Sequence, residues 1–287
     1  GSHPAAFNGI VGLKPTFGRI SLHGCFPLST TLDSIGPLTR TVADAALLLA
    51  GLAGPDARDP GTLGLPFFSS PDLGMANVKG LRIALLPQRQ LPGRVDQEVV
   101  SAWIEAARLF RSLGVVVEER EIPFDFDELA VRNGQLIAAE GYAVHRAYIE
   151  DESIAIGPAV RARMIAGKQV SGADYIAARE HQRQAVARFA EWMTDIDALL
   201  TPAAPTPAIP VADVDEKQTP ATLTRAGNYV GACGLSLPAG FSAGNLPLGI
   251  QLLGKPLGET TLLRLGAAFE RETGWTRHTP DLRSIDD

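Results

Sequence analysis

The side chains able to do chemistry in this sequence are few and scattered. Five histidines fall at His3, His23, His145, His181 and His278. There is no HExxH pair, no two histidines stand at i and i+4, and neither cysteine is near enough in sequence to complete a ligand set, so no metal centre is expected. A G-x-S-x-G elbow, a P-loop and a G-x-G-x-x-G turn are all missing from the sequence. Gly9, Gly12 and Gly18 in NGIVGLKPTFG do not have the spacing of a phosphate cradle, and Pro15 removes a backbone donor, which leaves tight turns as their reading. Cys25 follows His23 by two residues in LHGCFPLS. On an extended segment the two would share a face, but a solvated surface is the simpler account than a thiol–imidazole dyad.

Composition narrows the class. The 287 residues are 45% apolar and 20% charged, enough to bury a large core as one big domain or two small ones. Twenty-six basic residues against 32 acidic ones give a net charge of −6, and the arginines between 161 and 188 form no compact cluster. That balance argues against a nucleic-acid or anionic-membrane surface. Two cysteines are too few for a disulfide framework, so a reducing cytoplasm is the expected compartment. The longest apolar run, ALLLAGLAG, falls well short of the roughly 20 residues of a membrane span.

Strand-like and helix-like segments alternate along the chain. TVADAALLLAGLAG (41–54) reads as a helix capped by Thr41, LRIALLP (81–87) as a buried strand, DQEVVSAWIEAARLFRSLG (96–114) as an amphipathic helix and VVVEEREI (115–122) as a strand. Together the last three make a β-α-β unit. Residues 126–150 and 171–194 read as long helices, the second opened by Ser171 with Asp174 three places on, and about 126–195 stands as a long-helix insertion. DALLTPAAPTPAIP (197–210) is a short strand running into a rigid proline loop. LSLPAGF and LPLGIQLLGKP follow as two strands around a Gly-Asn turn, and ETTLLRLGAAFERETG closes as a helix.

PAAFNGIVGLKPTFGRIS, then TLDSIGPLTRTVADAALLL, then NYVGACGLSLPAGF with NLPLGIQLLGKPLGETTLLRLGAAFE, together resemble the amidase signature family of amide C–N hydrolases from Pro4 to about Glu270. The resemblance implies an α/β fold, a layered α/β/α sandwich with a mixed central sheet covered by helices. It implies amide cleavage by a serine nucleophile, a second serine on a cis peptide bond and a lysine that receives the proton, with no cofactor. A glycine-rich turn would offer N–H groups to the oxyanion.

Gly1-Ser2-His3 resembles the remnant of a cleaved affinity tag, so residues 4–287 are expected to be the C-terminal part of a single amidase domain. In the family three residues separate the nucleophile from the proline matching Pro4, whereas here only His3 separates Ser2 from Pro4. A two-residue shift moves a side chain about 7 Å along an extended segment. The nucleophile, the cis-serine and the lysine are therefore expected upstream of Pro4, and the chain alone is expected to be inactive. A non-catalytic structural or regulatory subunit on the same scaffold is the alternative. Lys14 in GLKPT is expected to be structural.

The substrate-pocket candidates are Thr201 and Pro202 at the end of the DALL strand, Thr224 and Arg225, and Asn228 with Cys233, the last standing where the family pattern usually has proline. Glu140, Tyr142 and His145 could line the mouth. Expected partners are a small-molecule amide and either a complementary N-terminal fragment or a second copy of the chain, covering GIVGL (9–13) and LSLPAGF (235–241), which would otherwise lie exposed; without such a partner the segment from Pro4 to Val11 is expected to be displaced.

Overall fold

The computed structural model describes residues 1–74, 76–93, 95–216 and 220–280. Their strands are β1 Val11–Lys14, β2 Leu38–Thr39, β3 Arg82–Leu85, β4 Val116–Glu119, β5 Ala198–Pro202, β6 Cys233–Phe241 and β7 Pro247–Gly254. They form one mixed sheet in the order β2-β1-β6-β7-β5-β3-β4. β3 lies parallel to β4 and β5, and the other pairs are antiparallel. The helices are α1 Ser2–Asn8, α2 Val42–Leu52, α3 Gln97–Ser112, α4 Phe126–His145, α5 Pro158–Ile165, α6 Gly172–Trp192, α7 Thr222–Tyr229 and α8 Glu259–Thr273.

Local chemistry sets the helix ends. Thr41 caps α2 by accepting from Asp44 N, Asp125 caps α4 by accepting from Asp127 N and Glu128 N, and Ser171 caps α6 through Asp174 N. α8 stops at Gly274, whose φ of 60° suits a residue without Cβ. The hairpin between β6 and β7 turns through Gly244 and Asn245, with Asn245 at φ 59°.

Alternation along the strands divides the sheet into two faces. Leu13, Leu235 and Leu252 stand in register on one, where Gly266 of α8 lies so near Leu235 and Val42 that an added Cβ would fall 2.5 Å and 3.3 Å from them. α3 joins this layer by stacking Phe110 on Phe269 at 5.2 Å and donating from Trp103 Nε1 to Leu200 O at 3.2 Å. On the opposite face Gly12 and Gly249 form a floor for α1, each positioned so that a Cβ would come within 2.6 Å of Ala5 or Ala6. Gly227 of α7 is pressed against Leu253 of the same face. The result is the α/β/α sandwich with a mixed sheet that the family resemblance implies.

One expectation is corrected. Leu13, Leu235 and Leu237 are wholly buried and Ile10 is half-buried, because α2 and α8 cover one side of β1 and β6 while α1 covers the other. Nor is the segment from Pro4 to Val11 displaced: it forms α1 and enters the sheet. Burying leucine side chains yields about 1.5–3 kcal/mol each, so these internal helices supply the cover that was expected from a second polypeptide.

Candidate functional site

The parallel pairing of β3 with β5 sends the loops that follow them to the same edge of the sheet. In open α/β sheets, small molecules bind outside the carboxyl ends of such strands. Here the loop after β3 brings Pro92 and Gly93, and the proline loop after β5 brings Pro205, Thr206, Ile209, Asp213 and Val214. α1 adds His3 and Phe7, α4 adds Asp127, and Thr222 and Leu223 open α7. These residues enclose a cavity of about 640 Å³, within the range of small-molecule sites.

The walls are held from behind. Ala6 packs with Ala203 and Ala204 at the root of the proline loop, and Asp96 N donates to Pro205 O at 2.9 Å. The ring of His3 meets Phe7 edge-on, centroids 4.3 Å apart. Burial, and then the nearby amino terminus, lower the His3 pKa. Its Nε2 is buried and has no hydrogen-bond partner among the described residues.

None of the six pocket candidates is among the residues that line this cavity. Thr201 and Pro202 are buried within β5, where Thr201 Oγ1 accepts from Gln251 Nε2 at 3.3 Å and donates to Pro202 O at 3.0 Å; the lining begins three residues beyond Pro202. Thr224 Oγ1 donates to Ala221 O within the first turn of α7. Arg225 is half-buried on that helix, its pKa lowered by burial and then by Arg163. Asn228 Nδ2 ties α7 to Leu32 O at 3.0 Å. Cys233 begins β6 without breaking it; its Sγ donates to Lys255 O at 3.1 Å, and burial first, then Glu259, push its thiol pKa up.

The lining residues that sequence reasoning missed are those flanking these candidates: Pro205, Thr206 and Ile209 after β5, and Thr222 and Leu223 one turn before Arg225. Proline spacing marks the loop but does not tell which residues turn inward. His3 and Phe7 were missed because His3 reads as tag and α1 as an extended start.

Lys14 lies outside the cavity. Its ammonium donates to Ala232 O at 2.9 Å and Pro15 O at 3.1 Å, stitching β1 to the start of β6. Burial lowers its pKa to about 8, against the pull of Cys233 and Glu259.

Glu140, Tyr142 and His145 lie around the loop before α2. Glu140 is buried and accepts from Ser29 Oγ at 2.6 Å, Thr31 Oγ1 at 2.7 Å, Thr31 N at 3.1 Å and Tyr175 OH at 2.8 Å. Tyr142 OH donates to Glu150, and His145 Nε2 meets Pro27 O at 2.8 Å. For Glu140, burial acts to raise the pKa, but the hydrogen bonds from Ser29, Thr31 and Tyr175 outweigh it and hold the carboxyl below its ordinary value. A depressed carboxyl stabilises the fold above the unfolded pKa and loses that contribution as pH falls through the folded one. Glu140→Gln is therefore expected to cost about 1–3 kcal/mol near pH 7, with the gap to wild type closing as pH drops below about 4.5. Urea melts at pH 7, 5 and 3.5 check this, and a gap that widens on acidification would contradict it.

Among the described residues no group of three or more His, Cys, Asp or Glu side chains could hold a metal ion, and no helix is long and apolar enough to cross a membrane.

The sandwich and its cleft define an α/β scaffold of the kind that takes a small molecule at the carboxyl edge of its sheet. The Amidase family model matches residues 2–263, and the chain belongs to that family. It is 38% identical to a glutamyl-tRNA(Gln) amidotransferase subunit of Geobacter sp. (strain M21), an alignment covering 95% of this chain and 61% of the relative. The corresponding protein of Levilactobacillus brevis is 36% identical over 97% of this chain and 63% of its own length.

Among solved structures, a native peptide amidase from Stenotrophomonas maltophilia superposes with a TM-score of 0.77 at 28% identity, covering 94% of this chain and 60% of that one. A chain from a vestigial protein complex, described as revealing the evolutionary origins of an s-triazine catabolic enzyme, superposes at 0.83 with 27% identity over 95% and 60%. The chain thus spans about three fifths of the length of the curated relatives and solved chains it matches.

Proposed function

We propose that this chain supplies the sheet and one wall of the substrate cleft of a protein that cleaves carboxylic amide C–N bonds, and that the serine, cis-serine and lysine of the reaction lie outside these 287 residues. The observation that carries the proposal is the cavity itself. It is built on α1, the segment that resembles the stretch next to the family's nucleophile, and on the loops after the parallel strands. In the whole protein the serine would attack the amide carbonyl, the amine would leave with a proton, and water would release the carboxylate. The lysine can take the first proton only if its surroundings keep it neutral.

The partners of this reading are a small-molecule amide and a polypeptide completing the site, either a complementary N-terminal segment or another copy of the chain. The relatives' designation as one subunit of an amidotransferase supports a place in an assembly. The likeness to a chain of a vestigial complex favours a second reading, a non-catalytic subunit on the amidase scaffold.

A benzamide bearing a photoreactive diazirine tests where the amide sits. Irradiation of the chain with this probe is expected to label Phe7, the stretch 205–209 or Leu223. Labelling confined to α2 or α8, on the opposite face, would contradict the proposal.

A further inference from the structure

We infer that Ser236 is a positioning residue for the reacting segment: its buried hydroxyl makes a hydrogen bond to the main chain of the turn that carries the nucleophile, and that bond forms only when the segment ahead of Pro4 is in place. The inference rests on the amide reading above and adds a residue of this chain to the reaction.

Alternation along β6 puts Ser236 on the face of the sheet under α1. Its neighbours Leu235 and Leu237 both reach Gly266 of α8 on the other face, so the hydroxyl between them points to the side floored by Gly12 and Gly249. Strand register then sets four residues in line across this face. Gly12 of β1 pairs with Ser236, Ser236 with Gln251 of β7, and Gln251 with Thr201 of β5. Ser236, Gln251 and Thr201 are all buried, and polar groups at that depth are costly unless hydrogen-bonded. The row is satisfied at its Thr201 end, where Gln251 Nε2 donates to Thr201 Oγ1 at 3.3 Å and Thr201 Oγ1 donates to Pro202 O at 3.0 Å. It is open at the other end: Ser236 Oγ has no hydrogen-bond partner among the described residues.

The open end lies beneath the head of α1. A Cβ added to Gly12, the register partner of Ser236, would fall 2.6 Å from Ala5 Cβ and 2.9 Å from Gly1 O, so main chain at the start of α1 rests directly on the sheet there. In the family three residues separate the nucleophile from the proline matching Pro4. The turn bearing the nucleophile would therefore stand in place of Gly1-Ser2-His3 and the position just ahead of it, and its main chain would enter over Gly12 and Ser236. A serine hydroxyl suits either group it can meet, since it donates to a carbonyl and accepts from an N–H. That bond would fix the height of the turn above the sheet, and with it the line of the nucleophile into the cleft. A misplacement of about 1 Å at such a point costs on the order of 10²-fold in rate.

Ser236→Ala, made both in the 287-residue chain and in the chain joined to a segment that brings it to its relatives' length, tests this. In the isolated chain the substitution removes a hydroxyl that has no partner, and the urea midpoint is expected to stay or rise. In the joined protein the midpoint is expected to fall. There kcat for the best of acetamide, benzamide and glutamine is expected to drop about 10–100-fold with KM held within about threefold, and fluorophosphonate labelling to slow by a similar factor. A midpoint that falls equally in both proteins would assign Ser236 to the packing of this chain alone, and unchanged kcat and labelling in the joined protein would set it apart from the reaction; either result would overturn the inference. If the joined protein cleaves no amide, yet Ser236→Ala lowers its midpoint and slows its labelling while sparing the isolated chain, the amide-cleavage reading fails and the positioning role stands.

Discussion

Ammonia release from acetamide, benzamide and glutamine is expected to stay at the uncatalysed rate with the 287-residue chain, and to rise at least about 10⁴-fold when the chain is joined to a segment that brings it to its relatives' length. A serine hydroxyl is too weak a nucleophile at neutral pH without a base to take its proton. Ser2 is buried at the start of α1, and among the described residues no hydrogen bond joins it to His3, Lys14 or another base. Lys14, the nearest lysine in sequence, is committed to the carbonyls of Ala232 and Pro15. Loss of a nucleophile or its base costs on the order of 10⁶ in rate, so even a partial restoration would be unmistakable. Turnover by the isolated chain that disappears in Ser2→Ala would overturn this part of the account.

The second large effect is on stability. Glu259→Ala is expected to cost about 3–5 kcal/mol, because it leaves a buried charge without its counterpart. Glu259 is fully buried at the start of α8; its Oε1 accepts from Thr16 N at 2.7 Å, and Oε2 stands 3.6 Å from Arg19 Nη2. Arg19 is itself only 6% exposed, lies over the Phe68 ring and donates to Pro66 O. Thr16 also accepts from Leu257 N at 2.7 Å, so the one carboxylate organises the turn after β1 and the approach to α8. Glu259→Gln keeps the acceptor for Thr16 and is expected to cost about half as much. Urea denaturation of the two variants decides the matter, and a cost below about 1 kcal/mol for Glu259→Ala would show that the pair is dispensable.

Much of this architecture was legible in the sequence where local chemistry and tertiary packing agree. Thr41 caps α2, Ser171 caps α6, and the apolar stripe Val99, Val100, Trp103, Ala106, Ala107 and Phe110 is the buried face of α3. The strands read at 81–87 and 115–122 contain β3 and β4, paired in parallel as a β-α-β unit requires. The long helix read at 126–150 ends at His145, and a separate short helix, α5, begins at Pro158, which fits the first turn of a helix.

What was not legible depends on contacts distant in sequence. α1 holds its place because Gly12 and Gly249, remote from each other, leave a floor for Ala5 and Ala6. Nothing in PAAFNG signals that floor, and so the apolar segments around it read as uncovered. The candidate site shows the same division. The proline loop was marked by its spacing, but only folding turns Pro205 and Ile209 toward Phe7 and Leu223. The substitution of cysteine for the family's usual proline at 233 is accommodated because the thiol finds the carbonyl of Lys255 across the hairpin.

The most direct test of the central claim, that this chain forms the amidase scaffold and cleft while the reacting groups lie outside it, is fluorophosphonate labelling read by intact mass. The 287-residue chain, shown folded by a cooperative urea transition, is expected to keep its unmodified mass. A single adduct that maps to Ser2, or to any other serine of this chain, would place an activated nucleophile inside it and contradict the account.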